Sequence, residues 1–297
     1  METFNLNNLL EEINSISNDK PCIDYKKEYE KIKKELEEAK KELEKAKTEL
    51  SQLKKKGQGC SVSGNAYEKK IFNIVKQTKI NDTPFNSQNE SELAGSSNTI
   101  DLECNFNGTK NVGIEIKKCK TPDWMQCSIK WNKDKKIWVG SHNGKIPEKS
   151  RLMFNKILED IKLFDGEEPP FISKNITHKQ WLDIKAVTSK WNDVIIKIPN
   201  DTIKKIYSEK DCHYIQISDY GLYHLNKDIC NFDVPEFIID QQLRIRIKVH
   251  SRKNKKGFCN LSVMASCQPT NINTFQKSKY SLDDKEKLPK NLIYHSV

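Results

Sequence analysis

The chain has 297 residues, enough for one large domain or two modest ones with a substantial core. Its 51 Lys and Arg against 41 Asp and Glu leave a formal net charge of +10, a basic balance that favours a polyanion, nucleic acid first, as partner. The opening residues METFNLNNLLEEINS lack the basic-then-apolar order of a signal peptide. The longest apolar runs, such as Val194–Ile196 and Phe237–Ile239, are far too short to span a bilayer. The expectation is a soluble intracellular protein of the cytoplasm, nucleus or a viral factory, not secreted and with no membrane partner.

The nine cysteines are odd in number and contain no C-x-x-C pair, so they read as buried free thiols rather than zinc ligands or a disulfide framework. The histidines, His142, His178, His213, His224, His250 and His295, show no metal-type spacing. No G-x-x-x-x-G-K-[ST] loop is present, which argues against ATP-driven chemistry. The five tryptophans read as core.

In chain order, residues 1–24 form a polar tail. Over residues 25–56, Tyr25, Tyr29, Ile32, Leu36, Ala39, Leu43, Ala46, Leu50 and Leu53 recur at alternating spacings of four and three, with Lys and Glu between them. That is a heptad repeat. It predicts a coiled-coil helix that joins two copies of the chain, although i,i+4 Glu–Lys pairs also support a lone helix. Residues 57–64, GQGCSVSG, read as a flexible linker. NAYEKKIFNIVKQT then predicts a helix with Tyr67, Ile71, Ile74 and Val75 on one face and Glu68 in its first turn.

After a polar loop comes NTIDLECNFNGTKNVGIEIKKCK, Asn98 to Lys120, two alternating runs about a turn. In a strand, residues two apart share a face, so Glu115 and Lys117 lie together. Asp101 joins them under one pairing, which sets it opposite Glu115 with Cβ atoms about 5 Å apart. A two-residue type I′ turn at Asn107-Gly108 slides the partners by one and removes it from that face, unless a bulge restores it. Two facing carboxylates destabilise a sheet unless a cation neutralises them, and Mg²⁺ or Mn²⁺ suits oxygen ligands of this kind. The bland alternative is a solvent-facing ion pair worth under about 1 kcal/mol.

TPDWMQCSIKWN reads as a short helix with Thr121 as N-cap and the next proline at its first position, which places Gln126 on that helix. KKIWVGS reads as a strand and Glu148 to Phe164 as a helix. The segment from His178 is helix or loop and then a strand over Val194–Ile198. A helix starts near Asp201, and HYIQIS and GLYHL form a hairpin. LRIRIKVH and NLSVMASC form a second hairpin around a basic loop. Arg244, Arg246, Lys248, Arg252, Lys253, Lys255 and Lys256 are seven cations with no acid among them. A two-stranded ribbon enters the DNA major groove, where Arg reads guanine and Lys holds phosphate. Charge protection of an edge strand is the alternative. The interleaved elements place the chain in the α/β (α+β) class with a mixed central sheet.

A helix bearing Glu68, a strand bearing Asp101, a turn, a strand bearing Glu115-Ile116-Lys117 and a further helix resemble, in that order, the PD-(D/E)XK nuclease superfamily of type II restriction endonucleases and junction resolvases. Ile100 stands where the family label has Pro. The resemblance covers about residues 64–140, and the coil lies outside it. It implies a mixed sheet flanked by helices, with Asp101 and Glu115 as Mg²⁺ ligands and Lys117 as the catalytic lysine. It implies catalytic parts also for Glu68 and Gln126. The expected organisation is a nuclease core over 65–200 and a strand-rich DNA-recognition region over 201–297. The expected activity is Mg²⁺-dependent, site-specific hydrolysis of double-stranded DNA by a homodimer. A Holliday-junction or repair nuclease, and a non-catalytic coiled-coil DNA-binding protein, are the alternatives.

Overall fold

The computed structural model describes residues 25–86, 88, 100–121, 123–141, 146–172 and 174–295. The tail over residues 1–24 with Cys22, the proline after Thr121, and His142 lie outside them. The chain divides into two compact units, Met1–Gly59 and Cys60–Val297.

Helix α1 spans Tyr25–Val75. It is helical through the glycine-bearing stretch 57–64 that was expected to be a linker. Of the heptad positions, Tyr29, Ile32, Leu36 and Leu43 are all more than half exposed, with Lys31–Glu35 and Glu37–Lys40 ion pairs between them. Lys and Glu occupy most of the other positions from 29 to 44, all of them exposed.

In Cys60–Val297 the elements run β1 (Thr78–Ile80), β2 (Thr83–Pro84), β3 (Leu102–Phe106), β4 (Thr109–Lys117), β5 (Met125–Asn132), β6 (Ile137–Gly140), α2 (Glu148–Asp160), α3 (His178–Val187), β7 (Val194–Ile198), α4 (Thr202–Ser208), β8 (Cys212–Ile217), β9 (Gly221–His224), β10 (Gln241–Ser251), β11 (Asn260–Pro269) and β12 (Ile293–Tyr294). The class is mixed α and β, in three sheets rather than one. The mixed sheet has the order β3-β4-β8-β9, a larger one β6-β5-β11-β10-β7, and a small one β12-β1-β2.

Two expectations are corrected here. Met125–Asn132 is a strand, not a helix, so Gln126 stands on β5 opposite Ser266 of β11. Residue 200 does not divide the fold either. Strand β8 pairs in parallel with β4, and β11 and β10 pair with β5 and β7 across that boundary. A parallel pair needs a long crossover, and here the crossover is everything between Lys117 and Cys212, including the larger sheet.

Alternation along β4 sets what each face meets. Val112, Ile114 and Ile116 belong to an apolar cluster with Ile71, Phe72 and Val75 from the end of α1. On the adjacent strand β8, Ile215 and Ile217 belong to a second cluster with Ile203, Ile206 and Tyr207 of α4 and with Phe154 and Leu158 of α2. Glu115 and Lys117, paired with Ile215 and Ile217, therefore share the face that meets α4. No helix among the described residues is long and apolar enough to cross a membrane.

Candidate active site at the end of β4

The turn of the β3–β4 hairpin is the two-residue one. Asn107 and Gly108 take φ values of 53° and 81°, as a type I′ turn requires. Phe106 pairs with Thr109 and Asn105 with Lys110, but past a bulge the partners become Cys104 with Val112 and Leu102 with Ile114. The extra residue on β4 brings Asp101 to the level of Glu115. Both pairings considered from the sequence are thus present, one on each side of the bulge.

Asp101 sits just before β3 and is tied to the end of β4. The Ile116 N–H donates to Asp101 Oδ2 at 2.8 Å. Lys117 Nζ donates to the same oxygen at 3.3 Å and to its neighbour's carbonyl, Ile116 O, at 3.1 Å. It also pairs with Glu115 Oε1. One ammonium therefore sits among three oxygens. The second oxygen of Glu115 accepts the Cys212 thiol at 3.7 Å. Beneath the ammonium, 5.6 Å away, lies the ring of Tyr207, whose hydroxyl donates to Trp124 O at 2.6 Å.

The group is poorly hydrated, and its electrostatics follow from that. Glu115 is only 6% exposed. Burial pushes its carboxyl up from the usual range, with Lys117 opposing and Asp101 adding to the rise. Burial also raises Glu68, again with Asp101 and Glu115 adding and Lys117 opposing. For Lys117, burial works against the ammonium, but Glu115, Tyr207 and Asp101 outweigh it and hold its pKa well above the ordinary value. Lys210, 5.9 Å from the Tyr207 ring, goes the other way, lowered by burial with Lys117 adding to the effect.

A cavity of about 240 Å³ opens beside this group, lined by Gly64, Asn65, Tyr67 and Glu68 of α1, by Ile116, Lys117 and Lys118, and by Thr121, Asp123 and Trp124. Lys117 and Glu68 line it, whereas Asp101 and Glu115 do not and reach it only through their pairing with the Lys117 ammonium. Gln126 does not line the cavity, but its amide donates to Asp123 Oδ2 at 2.9 Å. Among the described residues no three His, Cys, Asp or Glu side chains group as a metal cage. The oxygens around the Lys117 ammonium, two from carboxylates and one from a carbonyl, nevertheless suit a hard cation that keeps several of its waters. Tyr207, Lys210, Cys212 and Asp123 were not found from the sequence. They come from distant segments and carry no local motif.

The basic hairpin is a free two-stranded ribbon only in part. Its inner half is central in the five-stranded sheet, since β7 covers Gln241–Ile245 and β5 covers Val263–Cys267. Only its outer half, with the loop carrying Arg252, Lys253, Lys255 and Lys256, extends as a two-stranded ribbon. Arg244 pairs with Asp193. Arg246 Nη2 donates to Asp123 Oδ2 at 2.7 Å, which ties β10 to the wall of the cavity. Lys248 stands on the same face of β10, beyond them. Compared with protein-family models, curated proteins and solved structures, the chain matches none.

Proposed function

We propose that Cys60–Val297 hydrolyses phosphodiester bonds in nucleic acid with the help of Mg²⁺ or Mn²⁺, at the cavity beside Asp101, Glu115 and Lys117. The observation that carries this reading is the convergence of two carboxylates, one almost fully buried, on the Lys117 ammonium, with Lys117 itself and Glu68 lining an open cavity at the end of a strand. A purely structural ion pair has no need of the cavity or of the third carboxylate, Glu68, facing it. In this reading Asp101 and Glu115 hold the cation, which supplies Lewis-acid polarisation of the phosphoryl oxygen and a more acidic bound water. Lys117, as an ammonium beside them, stabilises negative charge that develops on the phosphoryl group. Glu68 accepts a proton or orients the attacking water. The Cys212 thiol and the Ile116 N–H are positioning groups that fix the two carboxylates.

The finer reading is a restriction-endonuclease-like enzyme acting on double-stranded DNA, with the outer ribbon and its basic loop on the duplex. The test is incubation of the full chain with supercoiled plasmid DNA in Mg²⁺, Mn²⁺ or EDTA. Nicked or linear products in either metal and none in EDTA are expected. Salt-dependent binding with no cleavage on several DNAs of differing sequence and methylation would replace the enzyme by a non-catalytic DNA-binding protein.

The exposed seam Tyr29, Ile32, Leu36 and Leu43 supports a homodimer through residues 25–56, which would set two sites on opposite strands. Sedimentation equilibrium is expected to give twice the chain mass at micromolar concentration, and the double variant Leu36→Lys, Leu43→Lys the single mass. A monomeric wild type would end this part of the proposal.

A further inference from the structure

A second and larger cleft, about 670 Å³, lies on the neighbouring face of the end of α1. It is lined by Lys70 and Ile74, by the β8–β9 turn with Asp219 and Tyr220, and by residues Lys277 to Lys287. Five of its lining residues are lysines, Lys70 from α1 and four from the Lys277–Lys287 segment. Two are partnered, Lys279 with Asp233 and Lys287 with Asp284. Among the described residues, Lys70, Lys277 and Lys285 form no ion pair, and Lys277 lies 5.4 Å over the ring of Tyr220.

The three acids in the wall are bound inwards. Asp283 accepts the hydroxyls of Tyr67 at 2.8 Å and Ser281 at 2.6 Å. Asp284 accepts the Glu286 N–H at 3.1 Å, and Asp219 accepts the Cys119 thiol at 3.2 Å. These bonds orient the carboxylates without cancelling their charge, but the five lysines of the lining outnumber its three acids, and Lys70, Lys277 and Lys285 carry the excess. A tight turn builds one side. Gly221 has φ +103°, and a Cβ there would meet Tyr280 O at 2.4 Å, so the β8–β9 turn and the Lys277–Lys287 segment meet backbone to backbone.

This cleft adjoins the candidate active site. Tyr67 lines the smaller cavity, and its hydroxyl is bonded to Asp283 of the larger cleft. The fully buried Gln216, whose neighbour across the sheet is Ile116, holds the junction, with its amide N–H on Tyr67 Oη at 3.2 Å and on Ser281 Oγ at 2.9 Å. The β8–β9 turn is itself tied to the end of β4, where the Ser218 N–H donates to Lys117 O at 2.9 Å.

We infer that the cleft holds the phosphate backbone of one nucleic-acid strand that continues from the cavity, with Lys70, Lys277 and Lys285 on successive phosphates and Tyr220 beside a base. A charged groove with an aromatic side chain is the arrangement that binds single strands without sequence preference. The strand's course past Glu68 and Lys117 rests on the function proposed above, but the binding itself does not.

The experiment measures binding of a short fluorescent single-stranded oligodeoxynucleotide by the full chain in EDTA, as a function of salt. Wild type is compared with the triple variant Lys70→Ala, Lys277→Ala, Lys285→Ala and with a control triple on remote exposed lysines, Lys135→Ala, Lys136→Ala, Lys227→Ala. Loss of three phosphate contacts lowers the slope of log K against log salt by about 2. That fall is expected in the cleft variant, and a much smaller change in the control.

Equal slopes in wild type and cleft variant, an equal fall in the control, or no binding by wild type would overturn the inference. So would competition by inorganic pyrophosphate as effective per phosphate as the strand, which would make the ligand an isolated phosphate group. Plasmid cleavage reads the other proposal separately. A chain that binds through the cleft but cleaves nothing would sink the enzyme and leave the cleft. A cleft variant that cleaves and binds like wild type would do the reverse.

Discussion

Replacing Lys117 by Met is expected to destabilise the protein by about 3–5 kcal/mol, the cost of breaking a buried ion pair from one side. The ammonium is the shared partner of Asp101 and Glu115, and Glu115 has little water to fall back on. Removing the charge leaves two carboxylates at the same level of adjacent strands, one of them buried. The deficit should depend on pH. Burial already raises the Glu115 carboxyl, with Lys117 acting against the rise, so the variant raises it further. A group whose pKa is higher in the folded state supports folding while protonated and ceases to as pH rises. The deficit is therefore expected to be large at neutral pH and to shrink as pH falls through the carboxylate range. The double variant Glu115→Gln, Lys117→Met should recover much of the loss. Urea unfolding of the three proteins measures this. A cost below about 1 kcal/mol for Lys117→Met would mark the pair as a surface ion pair.

Gly113→Ala is the second large effect. Gly113 lies where β4 meets β8 in parallel, and an added Cβ would stand 2.2 Å from Asp211 O and 3.1 Å from Cys212 Cα. Both are backbone atoms, so relief requires β8 to move. The register also shifts at this point, from Gly113 with Cys212 to Ile114 with Tyr214. The extra residue, His213, accepts the Gly113 N–H on Nδ1 at 3.2 Å. A displaced β8 pulls Cys212 from Glu115 and disturbs the approach of Tyr207 and Lys210. Overpacking of this kind costs about 1–3 kcal/mol where side chains yield, and at least the upper end is expected here. Gly108→Ala is the comparison. Its φ of +81° is unfavourable for alanine but nothing lies within 4 Å of the added atom, so a loss of about 1 kcal/mol is expected. Equal losses at the two glycines would show that β4 and β8 do not approach as described.

The local parts of the fold were legible, and the parts that depend on distant contacts were not. The hairpin around Asn107-Gly108 is visible because turn chemistry and alternation agree. Its register is not, because the bulge before Val112 has no sequence mark of its own. Met125–Asn132 was misread although Met125, Cys127, Ile129 and Trp131 alternate as a strand should. The Thr-Pro-Asp stretch before them resembles a helix start and outweighed the alternation. The glycines of 57–64 suggested a break that the helix does not make. The partition at residue 200 failed because the pairing of β4 with β8 is non-local. At the site, Asp101, Glu115, Lys117 and Glu68 could be named from order along the chain. Tyr207, Cys212 and Asp123 reach it only through packing, and the bonds from Gln126 and Arg246 to Asp123 give those two side chains a partner that spacing does not reveal.

The measurement that tests the central proposal most directly is Mg²⁺-dependent cleavage of plasmid DNA by Asp101→Asn beside wild type. Asparagine keeps an oxygen for the Ile116 N–H and nearly the same volume, so the fold is expected to persist, as circular dichroism and urea unfolding would confirm. The account predicts cleavage by wild type, and a loss of at least a hundredfold in the folded variant, the scale expected when a group acting on the transition state is removed. Cleavage by Asp101→Asn at the rate of wild type would contradict it and move the chemistry away from the end of β4.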